Sequence, residues 1–287
     1  MRNHRPAFNP MFRIACAALL TLSLAACDIE GTTVKSSPQD NTSQQGDAAP
    51  QDTSQSGRFI AVYGRTTRAG TRREAELWQE RKLLEDFVDA MNDYVRIPRD
   101  VKVIAKECGE ANAFYDADTH SIEMCYELSA EERKLFAAAG DSGEALDQEL
   151  YESAVGTLYH ELGHALIGEL ELKTTGKEED VADQMAAYIL TGDKDSRGYL
   201  ITVADTYALT AEQETSLDDL PFYDIHSLDA QRAINFLCYA YGSDPKAFKY
   251  LIKDGSLPKE RSEFCEYEYA QLTDAWTALL EPYLKPE

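Results

Sequence analysis

The chain has 287 residues, 44% of them hydrophobic, which allows one large domain or two small ones with a sizeable core. Acidic residues outnumber basic ones 51 to 28, and the formal net charge is −23. A surface that grips phosphate backbones is basic, so no nucleic-acid partner is expected, and the charge also opposes direct adhesion to anionic lipid.

Read from its start, the chain opens with Arg2, Arg5 and Arg13 and then an apolar, small-residue run from Ile14 to Ala26. The run is too short to span a bilayer as a finished helix, so residues 1–26 are expected to be a secretory signal peptide. It ends in Leu24-Ala25-Ala26-Cys27, which resembles a bacterial lipobox. That resemblance implies cleavage before Cys27, lipidation of Cys27 and membrane contact through the lipid. An ordinary signal cleaved near Ala26, with Cys27 incidental, is the competing reading. Residues 27–57 are Ser, Gln, Asp, Thr and Gly with almost no large apolar side chain, so a disordered tether is expected there. The folded domain is expected over residues 58–287. The protein is then exported and lipid-anchored in the cell envelope, on the periplasmic side of a membrane.

Arg58-Phe59-Ile60-Ala61-Val62-Tyr63 reads as a first strand, rich in β-branched and aromatic residues. One helix is expected from Arg72 to about Val95, because Trp78, Leu84, Phe87, Val88, Met91 and Val95 recur at steps of three and four. Pro98 stops it, and Val101 to Ala105 is a second strand. Asn112 to Tyr115 and Ser121 to Tyr126 read as a hairpin, with His120 as an exposed turn residue. Ser129 and Glu132 are spaced as a capping box opening the next helix.

Further helices are expected at about residues 144–171, 177–192, 198–210, from a Ser227 cap to Tyr241, 246–254 and 263–284. The aromatic residues of the last, Tyr267, Tyr269, Trp276 and Tyr283, are expected in the core. The fold class is α+β: a small antiparallel or mixed sheet early in the chain, packed on a mainly helical region.

Setting aside Cys16 and Cys27, four cysteines remain: Cys108, Cys125, Cys238 and Cys265. An exported location favours disulfides. Three connectivities exist for four cysteines, and local pairing, Cys108 with Cys125 and Cys238 with Cys265, is the simplest. No Cys-x-x-Cys occurs, which argues against a cysteine metal site or a redox motif.

Tyr159-His160-Glu161-Leu162-Gly163-His164 carries the chemistry. Positions i and i+4 share a helix face, so His160 and His164 can present two imidazole nitrogens to one zinc ion per chain. Glu161 sits one position round and can act as general base toward a water at that ion. Val155, Leu158, Leu162 and Leu166 supply a separate apolar face, so the helix does not need the histidines for packing.

The metzincin pattern requires Gly and His three and six residues after the second histidine. Ile167 and Leu170 stand there, so that class is excluded. Glu179 on the next helix is the candidate third ligand. Asp183, four residues on, is the candidate orienter of His160; Glu178, matched by Ala182, is the weaker candidate for the third ligand. Acids in a first helical turn are also favoured with no metal at all.

H-E-x-x-H followed by an E-x-x-x-D helix resembles the gluzincin, thermolysin-like metallopeptidases. More closely, residues 58–287 resemble a bacterial metallopeptidase family of unassigned substrate, through RFIAVYG, RIPRDVKVIAKECGEANAFYD, IEMCYEL, YHELGHALI, EEDVADQMA and HSLDAQRAINFLCYAYGSDP. The resemblance implies a zincin-like fold and cleavage of a peptide or protein substrate. It also implies that Asn112 and Ala113 bind that peptide by strand addition, and that His226, oriented by Asp224, stabilises the oxyanion, a role open to Tyr223 as well. A non-catalytic zinc- and peptide-binding envelope lipoprotein is the alternative. Glu161 argues against it, since a binder needs no base between two ligands. The sequence is silent on oligomeric state.

Overall fold

The computed structural model describes residues 57–213, 216 and 220–286; the expected signal peptide, Cys27 and most of the tether lie outside them. The sheet is built from β1 (Phe59–Tyr63), β2 (Val101–Lys106), β3 (Ala113–Asp116) and β4 (Ser121–Cys125), in the order β1-β2-β4-β3. β1, β2 and β4 run parallel, and β3 pairs antiparallel with β4 at one edge. The sheet is therefore mixed. Register aligns Phe59 with Val101, Val103 with Ile122, and Ala105 with Met124, so the buried side chains of each strand share one face. Ala113 and Tyr115 of β3 pair with Met124 and Ile122 and belong to that same face.

The helix expected from Arg72 to Val95 is two helices, α1 (Ala69–Glu80) and α2 (Leu83–Tyr94), broken where Lys82 takes a left-handed conformation at φ 53°. The two halves bury against different partners. Trp78 of α1 meets Tyr126, with ring centroids 5.2 Å apart, whereas Phe87 of α2 meets Phe59 and Tyr159, at 5.9 and 5.4 Å. A continuous apolar periodicity cannot reveal that change of direction.

α3 (Tyr126–Ala138) follows β4 with no loop, three residues before the expected capping box. Ser129 and Glu132 are interior residues of this helix. Ser129 Oγ donates to Glu74 Oε2 (3.1 Å), and Glu132 accepts from Ser153 Oγ (2.9 Å). Tertiary partners thus take the groups that local capping would have used.

α4 (Gly143–Glu169) is buried over much of its circumference and lies between the sheet, α3, α5 (Glu178–Gly192) and α6 (Tyr199–Ala211). α7 (Asp229–Ser243), the short α8 (Tyr250–Lys253) and α9 (Lys259–Leu280) complete the helical layer. Ser227 lies one residue outside the α7 cap position and donates instead to Asp180 Oδ1 (2.7 Å). Trp276 of α9 is buried, but Tyr267 is 68% exposed and is not a core residue. The disulfides are Cys108–Cys125, which ties the start of the hairpin segment to the end of β4, and Cys238–Cys265, which ties α7 to α9. No described helix is long and apolar enough to cross a membrane.

Candidate metal centre

α4 and α5 cross closely because Gly163 has no side chain. A Cβ there would stand 2.8 Å from Ala182 Cα and 3.1 Å from Ala182 Cβ. The crossing brings Glu179, one turn before Ala182, to the face that carries both histidines. His160 Nε2, His164 Nε2 and Glu179 Oε2 then form a triangle with sides of 3.2, 3.2 and 3.2 Å. Among the described residues these three make up the group able to hold a metal ion.

The proton positions follow from the outer partners. His160 Nδ1 lies 2.8 Å from Asp183 Oδ1, and His164 Nδ1 lies 2.8 Å from Glu178 Oε1. A carboxylate only accepts, so each Nδ1 carries a hydrogen, and in the neutral ring each Nε2 turns a lone pair inward. With both rings neutral, two nitrogen lone pairs and a carboxylate oxygen face one another, and positive charge, as protons on Nε2 or as a metal ion, balances them. A tetrahedral ion with ligands at about 2.0–2.1 Å has ligand atoms roughly 3.3 Å apart, which this triangle fits.

The electrostatics carry the same demand. Burial by itself lowers the His160 pKa, but hydrogen bonds to Asp183 and Glu179 outweigh it and raise it to about 9. Glu179 is held far below the ordinary carboxylate range, because hydrogen bonds from His160, His164 and His226 overcome the effect of burial. Asp183 is also held low. Burial opposes this, and the Arg232 guanidinium prevails, with His160 adding to it. Arg232 donates Nε to Oδ2 at 2.8 Å and Nη2 to Oδ1 at 2.7 Å, and its guanidinium lies 4.0 Å from the Tyr207 ring centre.

Glu161 is 5% exposed beside the triangle. Burial pushes its carboxyl up, partly offset by the two histidines and by the Tyr115 backbone N–H that it accepts. β3 runs along this side. Asn112 C=O accepts from Cys125 N–H toward β4 (3.1 Å), so the alternation of an antiparallel pair turns the main-chain groups of Ala113 and Tyr115 to the open edge. The Ala113 N–H there is held by Asn112 Oδ1 at 2.9 Å.

His226 closes the opposite side. Its Nε2 is 3.0 Å from Glu179 Oε2, and its Nδ1 is 2.9 Å from Asp224 Oδ1, which also accepts the His226 backbone N–H at 2.8 Å. Hydrogen bonding to Glu179, then to Asp224, raises the His226 pKa. Tyr223 is not brought in: it is 92% exposed, and Ile225 and His226 are the residues of this loop that line the cleft of about 890 Å³ over the triangle.

Three contributors were not foreseen as they stand. Glu178 orients His164. Arg232 has a partner 49 residues away, and no local pattern marks it. Glu169, buried at the end of α4, gathers Tyr115 Oη (2.6 Å), His120 Nδ1 (2.6 Å) and Arg99 Nε (3.1 Å), so His120 is not a free turn residue. Its left-handed φ of 51° turns the ring inward.

No curated protein and no solved structure matches the chain. A family model described as "Putative metallopeptidase" matches residues 63–280, from the end of β1 through α9, and the chain belongs to that family.

Proposed function

We propose that the protein is a zinc-dependent endopeptidase of the cell envelope, with a gluzincin site in a zincin-like fold. The observation that carries this reading is the triangle of His160, His164 and Glu179 donor atoms beside the buried carboxylate of Glu161. A structural zinc site has four protein ligands, and this group has three. When bound, zinc polarises a peptide carbonyl and brings the pKa of a water to about 7.

The chain's own residues do the rest. Glu161, in a setting that raises its proton affinity, takes the proton from the attacking water and passes it to the departing amine. His226, protonated and oriented by Asp224, donates its Nε2–H to the oxygen that gains negative charge. The open edge of β3 aligns an extended peptide, Ala113 by its main chain and Asn112 by the side chain that holds the Ala113 N–H. Asp183 and Glu178 hold the imidazoles in the ligating tautomer. Export and anchoring through a lipid on Cys27 place the substrate among peptides or proteins outside the cytoplasm.

The test compares metal content and cleavage of a quenched peptide library by the wild type and Glu161→Gln. Zinc near one per chain in both, with cleavage reduced about 10²–10⁴-fold in the variant, supports the reading. Zinc with no cleavage by the wild type indicates a zinc-dependent peptide binder. No zinc refutes the metal centre.

A further inference from the structure

A second cavity, of about 590 Å³, shares Asn112, Ala113, His160, Glu161 and His226 with the cleft over the triangle. It therefore opens beside the reacting position, and the side chain that enters it belongs to a residue adjoining the scissile bond. Its walls are largely apolar, from Leu128 and Leu135 of α3, Val203 of α6 and Phe236 of α7. α6 can form this wall because Gly156 faces it; a Cβ on Gly156 would stand 2.3 Å from Val203 Cγ2.

Ser153 and Glu132 add buried polar groups to the lining. Ser153 is two helical turns before His160 on α4, roughly 10 Å along the axis. Its hydroxyl donates to Glu132 Oε1 at 2.9 Å and lies 3.3 Å from Thr206 Oγ1. Glu132 is 8% exposed. Among the described residues it has that one hydrogen bond and no counter-ion.

Two neighbouring acids are already matched. Glu74 accepts from Arg133 at 2.6 and 2.9 Å, and Asp183 is paired with Arg232. Glu131 and Lys134 are on the exposed rim. Burial pushes the Glu132 carboxyl up to about 7, the nearby Glu74 charge adding to this and the Ser153 hydrogen bond opposing it. A carboxyl buried in this way either stays protonated or takes a cation, and a cationic ligand would hold it ionised.

We propose that this cavity is a specificity pocket for a basic side chain, lysine or arginine, on the residue adjoining the scissile bond, with the Glu132 carboxylate as its counter-ion. The apolar walls suit the long methylene stem, and the depth suits the longest side chains. The proposal rests on the peptidase reading above for the identity of the ligand. Binding through the metal alone keeps the two separable.

The probes are short hydroxamate-capped peptides whose residue next to the chelating group is lysine, arginine, norleucine or glutamate. Their binding to the zinc-loaded protein is measured by calorimetry. Lysine and arginine are expected to bind about 10- to 100-fold more tightly than norleucine, and glutamate most weakly. In Glu132→Gln the lysine-to-norleucine ratio is expected to fall to within about threefold of unity. Equal or tighter binding of norleucine by the wild type overturns the proposal, and that comparison needs no variant. A ratio that survives Glu132→Gln also overturns it, leaving Glu132 as a structural partner of Ser153. Peptide-library cleavage run alongside separates the two readings. A basic preference in binding without cleavage keeps the pocket and removes the peptidase; cleavage with an apolar preference does the reverse. A protein that takes up no zinc overturns both.

Discussion

Arg232→Met tests how α5, which carries Glu179 and Asp183, is held against α7. Asp183 and Arg232 are 5% and 7% exposed, and two hydrogen bonds of 2.8 and 2.7 Å join them. Methionine fills much of the space but removes the charge, leaving the Asp183 carboxylate buried with the His160 Nδ1–H as its remaining described partner. Breaking a buried pair in this way costs about 3–5 kcal/mol, well above the roughly 0–1 kcal/mol of an exposed pair. Urea unfolding of metal-free protein reads the loss as a lower midpoint at unchanged slope.

The pH dependence has a defined sign. Asp183 is held below its ordinary value, so its contribution is complete above the unfolded-state pKa near 3.9 and is lost as pH falls through the lower folded value. Without Arg232 the folded value rises, and acid unfolding begins at higher pH than in the wild type. The double variant Arg232→Met/Asp183→Leu is expected to recover part of the loss, since the stranded carboxylate is gone while the His160 Nδ1–H loses its acceptor. A cost below about 1 kcal/mol for Arg232→Met, or no recovery in the double variant, refutes the claim that this pair is desolvated and ties α5 to α7.

Three other outcomes follow from the same structure. In metal-free protein His160 is raised from 6.5 to about 9, so its stabilisation is full below 6.5 and drains away as pH rises toward 9; a flat stability profile across that window contradicts the assignment of its partners. Gly163→Val drives α5 away from α4 and is expected to weaken zinc binding about 10- to 100-fold in a chelator competition, and unchanged affinity shows that the helices do not need the contact. Glu169→Leu strands Tyr115, His120 and Arg99, so it is expected to destabilise by about 1–3 kcal/mol and to raise KM more than it lowers kcat, through a loosened β3; a loss confined to kcat places Glu169 in the chemistry instead.

Some of this was legible in the sequence because it is local. His160 and His164 share a face through helical spacing alone, and Glu179 with Asp183 repeats that spacing on the next helix. The α+β order and the hairpin came from periodicity and turn residues, which act over a few positions. What failed was also specific. The break at Lys82 escaped because both halves keep an apolar stripe while their partners differ. The capping box at Ser129 and Glu132 failed because Glu74 and Ser153, remote in sequence, claimed those side chains.

The sequence by itself therefore determined which residue types lie on which helical faces, and through them a metal-binding chemistry. Only the tertiary structure decided that Glu178 orients His164, that Arg232 balances Asp183, that Tyr223 stays in solvent, and that Glu132 lies buried beside the site with no cation among the described residues. The physical reason is range. Helical spacing and turn chemistry are set within a few residues, whereas burial and charge pairing depend on neighbours that only the folded chain brings together.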